Sequence, residues 1–498
     1  MTTKSGPRCR AGLLAAAAVF ALATAYGAWM FLRDVAVDYA GEEDHFKYGS
    51  TGGERASGLP YWIWRAIPEL FPEYLPDPSG GYASLGFIFE DRNDLPDKSL
   101  PVGISKRHYR GIDRVYLNCA ACHTGRVRDT PASPPRVIAG MPANTFDLGA
   151  FRDFLFTIAL DAKFNSERFM LTIDQLGARL GLLDRYVVYP LAVYLVRERL
   201  LMLRSRLQFT NHPPWWGPGR VDTFNQPKAL LNFRMDNAPP QELIGNNDFP
   251  SVWNQRPREG MRLHWDGNNS IVDERDRSAA FGTGAFPPTL DRASLARVER
   301  YLLDAKPPAY PYPINQGLAA RGQLLYREYC AGCHATDGTH FRPGDGKVGT
   351  VEPIAAIKTD PWRLNSYTYE LALNQSQLYA GYGAERFRHF RKTFGYANTP
   401  LDGVWLRGPY LHNGSVPTLR DLLEPSAKRP EFFYRGDDVY DAHRVGFRSD
   451  VGAENGHRYF PFDTGEPGNG NFGHEGAAFG TELRAADKDA LVEYLKTF

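Results

Sequence analysis

The sequence carries no excess of charge of either sign: 58 lysines and arginines stand against 57 aspartates and glutamates. Nothing in that balance calls for nucleic acid or a strongly charged partner. Methionine is scarce, with 7 residues, and none lies beyond Met261. Long apolar runs are scarce too. Ala11 to Leu32 is free of charge and long enough to span a bilayer as a helix. Tyr186 to Val196 is interrupted by Pro190 and is too short to cross. Cysteine is rarer than methionine, with 5 residues.

Four of those cysteines fall in two copies of one pattern, Cys119-Ala120-Ala121-Cys122-His123 and Cys330-Ala331-Gly332-Cys333-His334. Two thiols three apart followed by histidine can be alkylated by the vinyl groups of a haem, and the adjacent imidazole then ligates the iron. The pattern predicts two covalently bound haem c groups, with His123 and His334 as proximal ligands. A zinc site joining the two halves would need four thiolates, or two thiolates and two imidazoles. Each half already has the trailing histidine that a haem requires. Cys9 precedes the apolar run and reads as an unpaired bystander.

Lys4, Arg8 and Arg10 lie before the Ala11–Leu32 run and Arg33 ends it. A basic N-terminal flank predicts a membrane anchor over residues 1–33, its basic end cytoplasmic and the rest on the periplasmic side of the inner membrane. The alternative is a cleaved signal peptide, because Ala23-Thr24-Ala25 resembles a cleavage site. Haem attachment outside the inner membrane fits either outcome.

Glycine (48) and proline (37) together exceed their average share of about 12%, which predicts long irregular connections. Residues 34–114 read as loop with short helices, rich in aromatics and in glycine and proline punctuation. A helix is expected from Phe146-Asp147 to about Leu160, and a long buried or interfacial helix from Leu176 to Leu207. Leu295, Val298 and Leu302 share one helix face. Leu318, Gly322, Leu325 and Tyr329 do so before Cys330, and Leu491, Tyr494, Leu495 and Phe498 close the chain. Gly322 would let the last two helices cross closely. The expected fold is mainly α: two cytochrome c-type domains, 34–305 and 306–498, with long irregular insertions after the anchor helix.

The stretch LDGVWLRGPYLHNGSVPTLRDLLEP (401–425), with FYRGDDVYDAHRVGF (433–447) and GNGNFGHEGAAFGTELRAADKDALVEYLKTF (468–498), resembles the bacterial di-haem cytochrome c peroxidase superfamily. More narrowly, it is similar to the branch containing the rubber-cleaving di-haem oxygenases. The resemblance covers most of the chain from about residue 100 onward. It implies a haem in each domain, one the reactive centre and the other an electron store. It also implies that His474, in a Gly-His segment before the last helix, is the distal ligand opposite His334. The absence of methionine after Met261 agrees, leaving that haem bis-histidine or open.

By the same resemblance, MRLHWDGNNSIVDERDRSAAFGTGA (261–285) is a distal-pocket segment of the N-terminal haem. Trp265 would be a relay beside it, and Ala280-Phe281 a wall. His264 departs from the apolar pocket of the rubber oxygenases, and would be a sixth ligand or a peroxidatic acid/base. From the residues alone, the candidates for the distal ligand of the N-terminal haem are His212, His264, Met141, Met170, Met202, Met235 and Met261, or no protein ligand at all. His412 of the PYLHNGS segment would lie near the C-terminal haem or between the domains and support that haem through the contacts around it, with Trp405 and Arg407 nearby. Three functions follow: a peroxidase-like oxidoreductase using peroxide or dioxygen at the N-terminal haem, with a redox partner protein; a membrane-tethered electron-transfer cytochrome; or an oxygenase acting on a large organic substrate.

Overall fold

The computed structural model describes residues 7–210 and 212–498. Lys4 and the side chain of Cys9 lie outside what is described. A helix spans Pro7–Leu32, and its apolar part, Leu14–Leu32, is not buried against the other described residues. It could be an anchor or a signal segment by length and composition.

The segment expected as loop with short helices contains a four-stranded antiparallel sheet, which corrects that reading. Its order is Asp34–Ala36, Ile104–Tyr109, Ile112–Leu117, Leu59–Pro60. The tight turn between the central strands places Arg110 and Gly111 at φ of 52° and 85°, as in hairpin turns that match strand twist. Ion pairing hid the strand period. Arg107 is buried because it pairs with Asp34 and Asp291, so an apparently outward charge faces inward.

The expected Leu176–Leu207 helix divides. One helix ends at Gln175, and a wider turn over Asp184–Val188 leads into Tyr189–Leu207. Pro190 sits at the start of that helix, directly after the wider turn. Tyr189, Val193, Val196 and Leu200 are buried, whereas the opposite apolar side is exposed.

Other helices start at polar caps. Asp147 accepts the Ala150 N–H at 2.8 Å and opens Leu148–Ile158. Asp291 accepts from Ser294 at 3.1 Å and opens Arg292–Asp304, which buries Leu295, Val298 and Leu302. Asn315 accepts from Leu318 at 3.1 Å and opens Gln316–Tyr329, which runs straight into Cys330. Gly322 of the expected face is buried, together with Ala319 and Tyr326 beside it, while Leu318, Leu325 and Tyr329 are half-buried at its margin.

This helix packs on Ala485–Leu495, and a Cβ on Gly322 would stand 1.9 Å from the Ala490 carbonyl oxygen. Gly322→Ala must push the pair apart, at a cost of about 1–3 kcal/mol. Denaturant unfolding of the haem-loaded protein checks this; an unchanged midpoint would mean that the crossing is loose.

The two halves interleave. Met261, Leu263 and Val272, placed by sequence order in the first domain, pack with Ala335, Phe341 and Val348 of the second.

Candidate haem sites

The first motif follows directly from the sheet. The Ile112–Leu117 strand ends at Asn118, whose Oδ1 accepts the Ala120 N–H at 2.9 Å while Nδ2 donates to Gly49 O at 2.9 Å. The chain then turns through Cys119–Ala121, and the His123 N–H donates to Cys119 O at 3.1 Å. In the second motif Cys330 ends a helix, and the His334 N–H donates to Cys330 O at 3.0 Å. The four cysteines are unbridged, so each turn keeps two sulfurs available. Burial pushes the thiols of Cys119, Cys122 and Cys330 up to about 12, a setting for uncharged sulfur. No group of three or more His, Cys, Asp or Glu side chains is arranged to hold a metal ion among the described residues.

Both trailing histidines are held by a backbone carbonyl. His123 Nδ1 donates to Pro250 O at 2.8 Å, and His334 Nδ1 donates to Thr399 O at 2.8 Å. A carbonyl can only accept, so each ring carries its proton on Nδ1 and presents a bare Nε2, the form needed to ligate a metal. Burial lowers both pKa values, His123 to about 4, keeping the rings neutral.

His474 lies across from His334, with ring centres 6.3 Å apart. Two imidazoles on opposite sides of one metal, with bonds of about 2 Å, have ring centres about 6 Å apart. The His474 Nδ1 is buried without a partner, and burial followed by the charge of His334 lowers its pKa to about 3. Its main chain is fixed: the N–H donates to Ile357 O at 2.8 Å, and φ is +47°. Four other late histidines are engaged or exposed. His340 and His443 are exposed, His389 Nδ1 meets Glu274 at 3.0 Å, and His457 lies against Tyr459 at the surface.

No second histidine faces His123 at a comparable ring distance among the described residues. His264 shares its surroundings, because the charge of Arg275 reaches Cys119, His123 and His264 alike. The His264 Nε2 is buried with no hydrogen-bond partner, its ring meets Phe390 edge-on at 6.0 Å, and φ is +66°. Burial lowers its pKa to about 3. Ala280 packs in one apolar cluster with Cys119 and Ala120, while Phe281 leans on Tyr379. The other candidate ligands are elsewhere. His212 and Met202 are exposed, Met141 packs with the C-terminal core, Met170 with the N-terminal helices, Met235 with Leu207, and Met261 with Ala335.

Trp265 and His412 are joined through one peptide: Trp265 Nε1 donates to Asp248 O at 2.8 Å, and the Asp248 N–H donates to His412 O at 2.9 Å. His412 is buried, and its ring stacks on Tyr396 at 4.0 Å. Tyr396 Oη donates to Asp360 O at 2.8 Å, so it accepts from His412 Nε2 at 3.0 Å. That engagement removes Nε2 as an iron ligand. The cations near His412 are Arg363 and Arg220, which together with burial hold it neutral. Arg407 acts on His334, and Trp405 Nε1 donates to Pro308 O at 3.1 Å.

The carbonyls of Pro250 and Thr399 were invisible to sequence reasoning, since a main-chain acceptor needs no particular side chain. Together they close a continuous path. Residues 248–250 touch His123, Trp265 and His412, and residues 396–399 touch His412, Trp265 through the Ala397 N–H, and His334.

Residues 395–434, which contain Tyr396, Thr399 and His412, match a family described as RoxA-like, cytochrome c-like. The chain is 32% identical over 300 residues to the uncharacterized protein y4iM of Sinorhizobium fredii, covering 54% of this chain and 68% of that protein. It is 25% identical over 510 residues to the uncharacterized protein y4iJ of the same organism, covering 83% of each. A cytochrome c-like segment implies covalently bound haem c and a haem-based oxidoreductase.

Proposed function

This chain belongs to the family of the Sinorhizobium fredii protein y4iM, and from that premise we propose that it is a di-haem c oxidoreductase of the di-haem peroxidase superfamily, mainly α and with one haem in each of two cytochrome c-type domains. The observation that carries the proposal is an asymmetry. His123 and His334 are locked in the same tautomer, yet among the described residues only His334 has a second histidine across from it, at 6.3 Å.

Cys119, Cys122 and His123 would hold one haem, and Cys330, Cys333, His334 and His474 the other. Bound there, haem supplies iron that exchanges single electrons and, where one face is open, a place for peroxide or dioxygen. With His334 and His474 both holding it, the C-terminal haem would serve electron transfer. Near the N-terminal site His264 would offer an uncharged Nε2 able to take a proton from peroxide and return it to the leaving oxygen. Trp265 and His412 lie on the contact path between the two sites and would carry the electron. A redox partner protein supplies it from outside, and the first helix keeps the protein at the periplasmic face of the inner membrane.

A dioxygen-using reading, with a large organic substrate, is favoured by the RoxA-like match. Steady-state assays separate the two. We expect peroxide to be reduced at the expense of a reduced cytochrome, with no oxygen uptake on polyisoprene. Oxygen uptake without peroxide turnover would establish the oxygenase instead.

A further inference from the structure

We propose that the exposed apolar side of the Asp184–Leu207 stretch rests in the headgroup region of an anionic phospholipid bilayer, as a second attachment beside the N-terminal helix. The proposal stands apart from the haem chemistry. Leu183, Tyr186, Val187, Leu191, Tyr194 and Leu195 are from 53% (Val187) to 69% (Tyr186) exposed. From Val187 onward they recur every three or four residues, so they form one stripe about 12 Å long at helical rise. Polar residues would normally occupy the outer side of a helix whose inner side, Tyr189, Val193 and Val196, is already buried. Two tyrosines within the stripe suit the boundary between headgroups and acyl chains.

Charge names the partner. Arg110 and Arg114 lie over the Tyr109 ring, at 5.2 and 5.8 Å, and the charge of Arg199 bears on Arg114. None of the three has an ion-pair partner among the described residues, and the Arg114 Nε is buried with no hydrogen-bond partner. Arg199 belongs to the same helix as the stripe. A basic cluster bordering an apolar helix face is the pattern of a segment lying on anionic lipid.

Topology brings both features to where the first helix enters the folded body. That helix ends at Leu32, and Asp34 pairs directly with Tyr109, the residue beneath the basic cluster. His108, paired with Val35, lies within electrostatic reach of Asp184, where the stripe begins. A membrane holding the first helix would therefore meet the cluster and the stripe without further rearrangement.

The test uses the full-length, haem-loaded protein in vesicles of phosphatidylcholine and phosphatidylglycerol that carry a photoreactive phospholipid. Cross-links are expected in the peptide spanning 182–195 as well as in 14–32. Leu183→Gln/Leu191→Gln/Tyr194→Gln should abolish the first set and keep the second, with an unchanged haem spectrum as proof of folding. Arg110→Gln and Arg199→Gln should each lower labelling of 182–195 by about fivefold, and only when phosphatidylglycerol is present. Cross-links confined to 14–32, or unaffected by the triple substitution, would overturn the proposal. So would a detergent-stable dimer that the triple substitution dissociates, since the stripe would then face a second copy of the chain.

Discussion

Replacing His264 by asparagine is expected to lower peroxide turnover by about 10²–10⁴-fold, the usual worth of a positioned acid/base group. Asparagine is the choice because φ at this position is +66°, a region it tolerates better than most side chains. The variant should keep both haems and its C-terminal spectrum. The native pH profile carries the same information. Burial lowers the His264 pKa from 6.5 to about 3, so the neutral, proton-accepting form persists down to about pH 3. Turnover should therefore show no acid limb near 6.5 from this residue. For stability the sign is the same: below pH 6.5 the unfolded chain binds a proton that the folded ring refuses, and stability falls as pH drops from 6.5 toward 3. Full turnover by the asparagine variant, measured with a reduced cytochrome as donor, would remove His264 from the chemistry.

Replacing His474 by glycine is expected to turn one low-spin ferric haem high-spin and to slow turnover by interrupting electron supply. Glycine suits φ of +47° and leaves a void beside His334 of imidazole size. Added imidazole should restore the low-spin spectrum. A structural role alone would not be rescued in that way, so an unaltered spectrum, or one that imidazole leaves high-spin, counts against His474 as a ligand.

The haem motifs were legible because covalent attachment fixes residue type and spacing together. His474 was legible through its glycine-rich loop before the last helix, by resemblance. The locks on His123 and His334 were not, because they are main-chain carbonyls of Pro250 and Thr399. The sheet around Ile104–Leu117 was missed because Arg107 is buried in ion pairs, and charge then masquerades as exposure. Helix Tyr189–Leu207 misled in the other direction. Its apolar residues left open whether it was buried or interfacial, and it is covered on one side only. The packing of Met261 and Leu263 against Ala335 was also illegible, since chain order does not reveal which half a connecting segment joins.

Electron paramagnetic resonance of the resting ferric protein tests the central claim, one closed haem site and one open, most directly. The account predicts one high-spin and one low-spin signal of equal weight. Two low-spin signals that persist after one-electron reduction would contradict it.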